Sequence, residues 1–119
     1  RAVLEGVTFA IRDCRDALAA TGTNIDNLLA VGGGSRSDYW LRAIATALDC
    51  PVSLPVAGDF GGAFGAARLA LMAATGAGAE IATLPQIARE VLPDAALKDA
   101  FDAGHARFKD AQSAMRRLA

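Results

Sequence analysis

Residues 28–40 read LLAVGGGSRSDYW, an apolar run that breaks into three consecutive glycines and then into the start of a helix. Leu28 to Val31 is short and apolar, with Asn27 before it and Gly32 after it, which predicts a buried strand rather than a helix. Gly32, Gly33 and Gly34 carry no Cβ, so the backbone can take positive φ and let another group come close. Ser35 and Asp38 form an S-x-x-D pattern ahead of Leu41, Ile44, Ala45 and Leu48, which reads as a capping box opening an amphipathic helix over about 36–48. A strand, a glycine turn and a set of helix-start amides together make a place where an anion or a nucleotide can sit.

Working outward, Val52-Ser53-Leu54 alternates between two prolines and predicts a second short strand. Strand, helix and strand joined by short loops form the right-handed unit of a parallel sheet. Upstream, Leu4, Val7, Ile11, Cys14 and Leu18 fall at helical spacing, so residues 1–20 predict a helix buried on that face, closed by Gly22. Downstream, Phe64, Ala67, Leu71 and Ala74 predict a third helix over 63–75, ended by Gly76-Ala77-Gly78. The two prolines Pro85 and Pro93 leave room for one or two helical turns within 80–92. Asp94 is a natural N-cap for a last long helix, with Leu97, Phe101, Phe108, Ala111, Met115 and Leu118 on one face, packing against the first helix.

A length of 119 residues suits one domain with one core, and much of the 53% hydrophobic share is alanine, which favours closely approaching helices over large side chains. The chain starts at Arg1 rather than methionine and shows no signal-peptide pattern, so it reads as a segment of a longer protein, expected in the cytoplasm. No run approaches the ~18 apolar residues of a membrane span. A net charge of −1 with interspersed signs argues against a nucleic-acid partner. Cys14 and Cys50 read as two buried, reduced thiols, and His105 as a lone surface or half-buried histidine. Neither supplies a metal site.

The glycine turn admits several chemistries. Gly32-x-Gly34-x-x-Ser37 is a degraded dinucleotide fingerprint with serine for its third glycine, and no acid closes the second strand. A Walker loop requires Gly-Lys-Ser/Thr, which is absent. A plain strand-to-helix turn explains the glycines equally well. Trp40 and Tyr39 could stack on a base, although Trp40 lies where a buried face begins; Arg36 could approach a phosphate or remain a solvated helix start.

Three ordered motifs extend beyond the turn: Glu5-Gly6-Val7-Thr8-Phe9, residues 29–40, and residues 59–67 around Ala63-Phe64-Gly65-Ala66-Ala67. In order and spacing they resemble the FGGY carbohydrate kinases, and within that family the xylulokinase branch. The resemblance runs from Glu5 to about Gly76 and more loosely through the last helix. It implies an α/β fold, part of an actin-like ATPase (ribonuclease H-like) domain, here with about two parallel strands and four main helices. Residues 1–119 would be the C-terminal portion of the second, nucleotide-side domain.

The same resemblance implies ATP with Mg as cofactor and a small sugar as substrate in the parent enzyme. Gly33 and Gly34 would lie against the α-phosphate and ribose, Ser35 beside the adenine, and Asp38 at the adenine edge. The family's catalytic base and phosphate loops match no residue here, so the chain alone is expected to be inactive. An acid near the third helix has a family counterpart offset by about one place from Asp59, while Gly61, Gly62 and Gly65 are expected to serve close helix packing. The first strand, lacking a neighbour, would present an open edge, and a homo-oligomer is expected through that edge or the exposed apolar helix faces. The alternatives are a kinase of another sugar or polyol, such as ribulose, glycerol or gluconate, and a non-catalytic α/β interaction module.

Overall fold

The computed structural model describes residues 1–56 and 61–118. Four helices, α1 (Ala2–Ala20), α2 (Asp38–Leu48), α3 (Gly61–Thr75) and α4 (Lys98–Arg116), accompany three strands, β1 (Leu28–Leu29), β2 (Val52–Pro55) and β3 (Ile87–Val91). The sheet order is β1-β2-β3, with β1 parallel to β2 in the register Leu28↔Val52 and β3 antiparallel to β2 in the register Val52↔Val91. The fold is therefore α/β with the four helices expected. Its sheet corrects the sequence reading of about two parallel strands, since the third strand occupies the stretch assigned to helical turns. A single 3-10 turn, Ala79–Ile81, is the helical part of that stretch. Between the two prolines, Ile87 and Val91 take positions on the free side of β2, which satisfies a row of backbone groups that a short isolated helix would leave unpaired.

α2 is the centre of the packing. Leu41 and Ala45 meet Val52 and Leu54 of the sheet, with Leu28, Ala30, Ile44 and Val91 around them. Ala47, Leu48 and Cys50 meet Ile11 of α1 and Phe101 of α4. Six of the eleven residues of α2 are buried, so sheet and helices must both approach it closely, and the alanines at 43, 45 and 47 allow that. Asp49 in the left-handed conformation (φ 52°) ends α2. Buried Thr46 donates to Arg42 O (2.7 Å) and accepts from the Asp94 amide (3.0 Å), tying the approach to α4 onto α2. Asp94 does cap, accepting from Ala96 N at 3.0 Å, but through a 3-10 turn, Ala95–Leu97, before α4 proper.

The first and last helices pack together as expected, yet through a different face of α1. Thr8 and Phe9 are its buried residues, while Val7, Cys14 and Leu18 are exposed. Phe9 sets its ring among Phe101, His105 and Phe108, with centroids 5.9–6.1 Å away. Arg12 Nη1 donates to Asp102 Oδ1 (2.5 Å), and that guanidinium holds the Asp102 carboxyl below its usual range. His105 is buried rather than superficial, its Nε2 2.7 Å from Asp13 Oδ1. Arg12 and Asp13 of α1 thus turn towards α4, while of the apolar stripe Ile11 packs in the core beside Phe101 and Leu4 is half-buried. Of the two thiols only Cys50 is buried, and burial pushes it up.

α3 has no buried residue, and Phe64, Leu69 and Leu71 are all at least half exposed. Its first residue is the tight point, where a Cβ on Gly61 would lie 2.9 Å from Val31 Cγ2. At Gly62 and Gly65 a Cβ would meet nothing within 4 Å among the described residues, so close packing against those residues does not account for the two glycines. Asp59 and Phe60 lie outside the described residues.

A Cβ on Gly104 would come within 2.7 Å of Phe9 Cζ, and Phe9 is hemmed in by three rings. Gly104→Val is expected to destabilise the chain by about 1–3 kcal/mol through overpacking, read as a lower urea midpoint with an unchanged slope.

Candidate nucleotide site

β1 ends at Leu29, and the Ala30 amide still bonds Ser53 O (2.9 Å), so the chain leaves the sheet at Val31 in a fixed direction. Gly32 then takes φ 81°, a left-handed value costly for any residue with a side chain. Gly33–Arg36 follow as a 3-10 turn whose first bond runs from Ser35 N–H to Gly32 O (3.1 Å). The expected capping box is displaced. The N-cap of α2 is Ser37, whose side chain accepts from Trp40 N (3.3 Å), and Asp38 is the first helical residue rather than the third-position partner.

The four residues expected at a nucleotide are consecutive or nearly so, and the structure gives them different surroundings. Gly33 is exposed, and a Cβ there would meet nothing within 4 Å. Gly34 faces Trp40, whose Cζ3 would lie 2.6 Å from an added Cβ. Ser35 is half-buried and its hydroxyl donates to Gly32 O (2.7 Å), closing the turn. Asp38 is exposed and accepts from Arg89 Nη2 of β3 at 2.5 Å. Gly33 is thus open to an approaching group, whereas the absence of a side chain at Gly34 is already required by the tryptophan.

Trp40 is the anchor of the turn. Its Nε1–H donates to Thr8 Oγ1 (3.1 Å), and the fully buried Thr8 hydroxyl in turn donates to Leu4 O (2.8 Å). The glycine turn is therefore held against α1 through one aromatic ring. Tyr39 is also committed to α1: its hydroxyl donates to Glu5 Oε1 (2.6 Å), which accepts from Arg1 Nε as well (2.8 Å). Those bonds, Tyr39 first, hold the Glu5 carboxyl below its usual range, and partial burial followed by Glu5 pushes the Tyr39 phenol up. Sequence reasoning missed Arg89, because the pairing crosses 51 residues and depends on a strand that the two prolines concealed.

The described family model for the FGGY family of carbohydrate kinases, C-terminal domain, matches residues 1–74, which takes in α1, the glycine turn, α2, β2 and nearly all of α3. The chain belongs to the FGGY family of carbohydrate kinases. Among FGGY relatives, the xylulose kinase of Escherichia coli K12 is 42% identical over 97 residues, 80% of this chain and 20% of that protein. The solved structure of a xyloylose kinase from Brucella ovis superposes with a TM-score of 0.87 at 57% identity, over 99% of this chain and 25% of that one. A xylulose kinase from Rhodospirillum rubrum gives 0.78 at 28% identity, over 99% and 24%. The chain spans about a fifth to a quarter of the length of these FGGY relatives.

The two central glycines can be told apart by substitution. Gly34→Ala should displace the Trp40 ring, red-shift the emission of this sole tryptophan and cost about 1–3 kcal/mol in chemical unfolding. Gly33→Ala should leave both emission and stability as they are.

Proposed function

We propose that this chain is the C-terminal portion of the second, nucleotide-side domain of an ATP-dependent xylulokinase, the parent enzyme transferring the γ-phosphoryl group of ATP to D-xylulose to give D-xylulose 5-phosphate. The domain would be half of an actin-like ATPase pair, and the enzyme cytoplasmic. The observation that carries the reading is family membership over residues 1–74 together with xylulose kinases as relatives at up to 42% and a xyloylose kinase at 57% identity. Xylulose is preferred over ribulose, glycerol or gluconate on those relatives. A gluconate kinase from Lactobacillus acidophilus also superposes, at 21% identity, and speaks for the fold alone.

Supporting the nucleotide assignment, the glycine turn is rigidly backed by Trp40 yet open at Gly33. In this reading the Gly33 and Gly34 backbone lies along the α-phosphate and ribose, Ser35 sits beside the adenine, and the Asp38 carboxylate accepts from the adenine edge. A turn without side chains lets the nucleotide approach the backbone, and a structured turn costs little further ordering on binding. Among the described residues no group of three or more histidine, cysteine, aspartate or glutamate side chains could hold a metal ion. We therefore assign Mg to none of them, and ATP would bring it into the parent enzyme.

Phosphoryl transfer requires a base for the sugar hydroxyl and donors around the β- and γ-phosphates. No described residue is assigned to those tasks, so the chain alone is inactive in this reading. Purified as it stands, it should produce no xylulose 5-phosphate, and measurable product would overturn this part of the assignment. Titration with ATP should shift the backbone amide resonances of Gly33 to Ser37 ahead of the rest. Silence of those amides at millimolar ATP would remove the nucleotide from this turn.

The isolated chain has two surfaces for self-association: the outer edge of β1 and the apolar side chains of α3, with Leu69 68% exposed. Light scattering at micromolar concentration should report species larger than 12.2 kDa; a monomer would count against it.

A further inference from the structure

Asp38 poses an electrostatic problem in a nucleotide site. Even at the adenine edge, away from the phosphates, an unpaired carboxylate adds negative charge to a site that must take an anionic ligand. The structure places a counter-charge there from a distant part of the chain, since Arg89 Nη2 reaches Asp38 Oδ1 at 2.5 Å. The register explains how. Val91 pairs with Val52 and Arg89 with Leu54, and directly paired residues share a face of the sheet. Val52, Leu54 and Val91 all pack on Leu41 and Ala45 of α2, so Arg89 emerges on the α2 face. It stands two residues further along β3 than Val91, on the same face, towards Asp38 at the start of α2.

We propose that Arg89 is a positioning residue for nucleotide selection, acting through Asp38. It rests on the assignment of Asp38 to the adenine edge made above. Arg89 holds Oδ1 and offsets its charge, which leaves Oδ2 to accept a hydrogen bond. Adenine offers an exocyclic N6–H donor where guanine has the O6 acceptor, which a carboxylate repels; guanine's neighbouring N1–H and N2–H donors would attract a carboxylate able to shift towards them, so the discrimination depends on Oδ2 being held at the N6 position. A fixed carboxylate therefore selects ATP over GTP, and a carboxylate free to rotate selects less. No proton is transferred, and Arg89 need not touch the nucleotide.

The test uses the full-length kinase, with ATP and GTP dissociation constants and kcat on xylulose measured for the unaltered protein, Arg89→Ala, Arg89→Lys, Asp38→Ala and the double variant. Arg89→Ala should weaken ATP about three- to fivefold, the scale of one exposed charge pair, and narrow the preference for ATP over GTP. It should leave kcat and the KM for sugar unchanged. Arg89→Lys, keeping the charge without the planar fork, should recover part of the loss. Asp38→Ala should abolish the effect of Arg89→Ala in the double variant. An Arg89→Ala protein with unaltered ATP affinity and nucleotide preference overturns the proposal; if Asp38→Ala still changes both, the nucleotide assignment survives it. Silence of both variants overturns the role of Asp38 and that of Arg89 together. Arg89→Met, which keeps the aliphatic stem, repeats the measurement if the alanine variant fails to fold.

Discussion

Enclosure of α2 is the constraint on which the rest of the structure depends. It is covered by the sheet on one side and by α1 and α4 on the other, and Ala45 and Leu48 are sealed from solvent. A helix with bulky residues on all sides would hold these layers apart. Alanine at 43, 45 and 47 lets them close, and dense packing then fixes their mutual positions because an interior this tight has no slack to absorb rotation. The high alanine content of the chain is thus a geometric requirement more than a helix preference.

What α2 fixes, the glycine turn inherits. Trp40 belongs to the first turn of α2, reaches back across Gly34 and bonds Thr8 on α1. Thr8 is wholly buried in an otherwise apolar contact, and its hydroxyl is satisfied both ways, by Leu4 O and by the indole. A short polar relay therefore sets the height of the turn above the first helix. By contrast α3 leaves the sheet at the close Gly61–Val31 contact and then offers its apolar side chains to solvent. A helix of that composition acquires its stability from a surface packed against it. Among the described residues, none buries a side chain of α3.

Much of this was legible from residues alone. The apolar tetrapeptide before Gly32 and the Pro-bounded Val52-Ser53-Leu54 marked both parallel strands, but only β2 is buried as read: β1 is two residues long, with Leu28 half-buried and Leu29 and Val31 exposed. Gly22 and Gly76, with φ of 88° and 69°, end their helices as read. α1 buries Phe9 and turns Arg12 and Asp13 towards α4, so its contact face combines one aromatic ring with polar pairings that a count of apolar spacing ignores. β3 lacks an apolar run and exists because β2 had a vacant edge, which is information held 35 residues earlier. Ser35 and Asp38 matched a capping pattern, but Ser37 took the task, since the glycines spend four residues in a 3-10 turn first. At the site, the resemblance treated Gly33 and Gly34 alike and could not separate the glycine kept small by Trp40 from the one where a side chain would meet nothing.

The sheet order also has a consequence for how the molecule is made. β1, α2 and β2 are contiguous between residues 28 and 55, and their contacts close over short loops, so this unit can assemble as soon as it is synthesised. β2 is the middle strand, however, and its second neighbour is β3, at residues 87–91. During the interval in which the intervening residues emerge, the best-buried strand of the finished protein shows a bare row of backbone donors and acceptors. That makes the late strand a closing seam, and any event that cuts translation short before Val91 leaves the seam open to other chains.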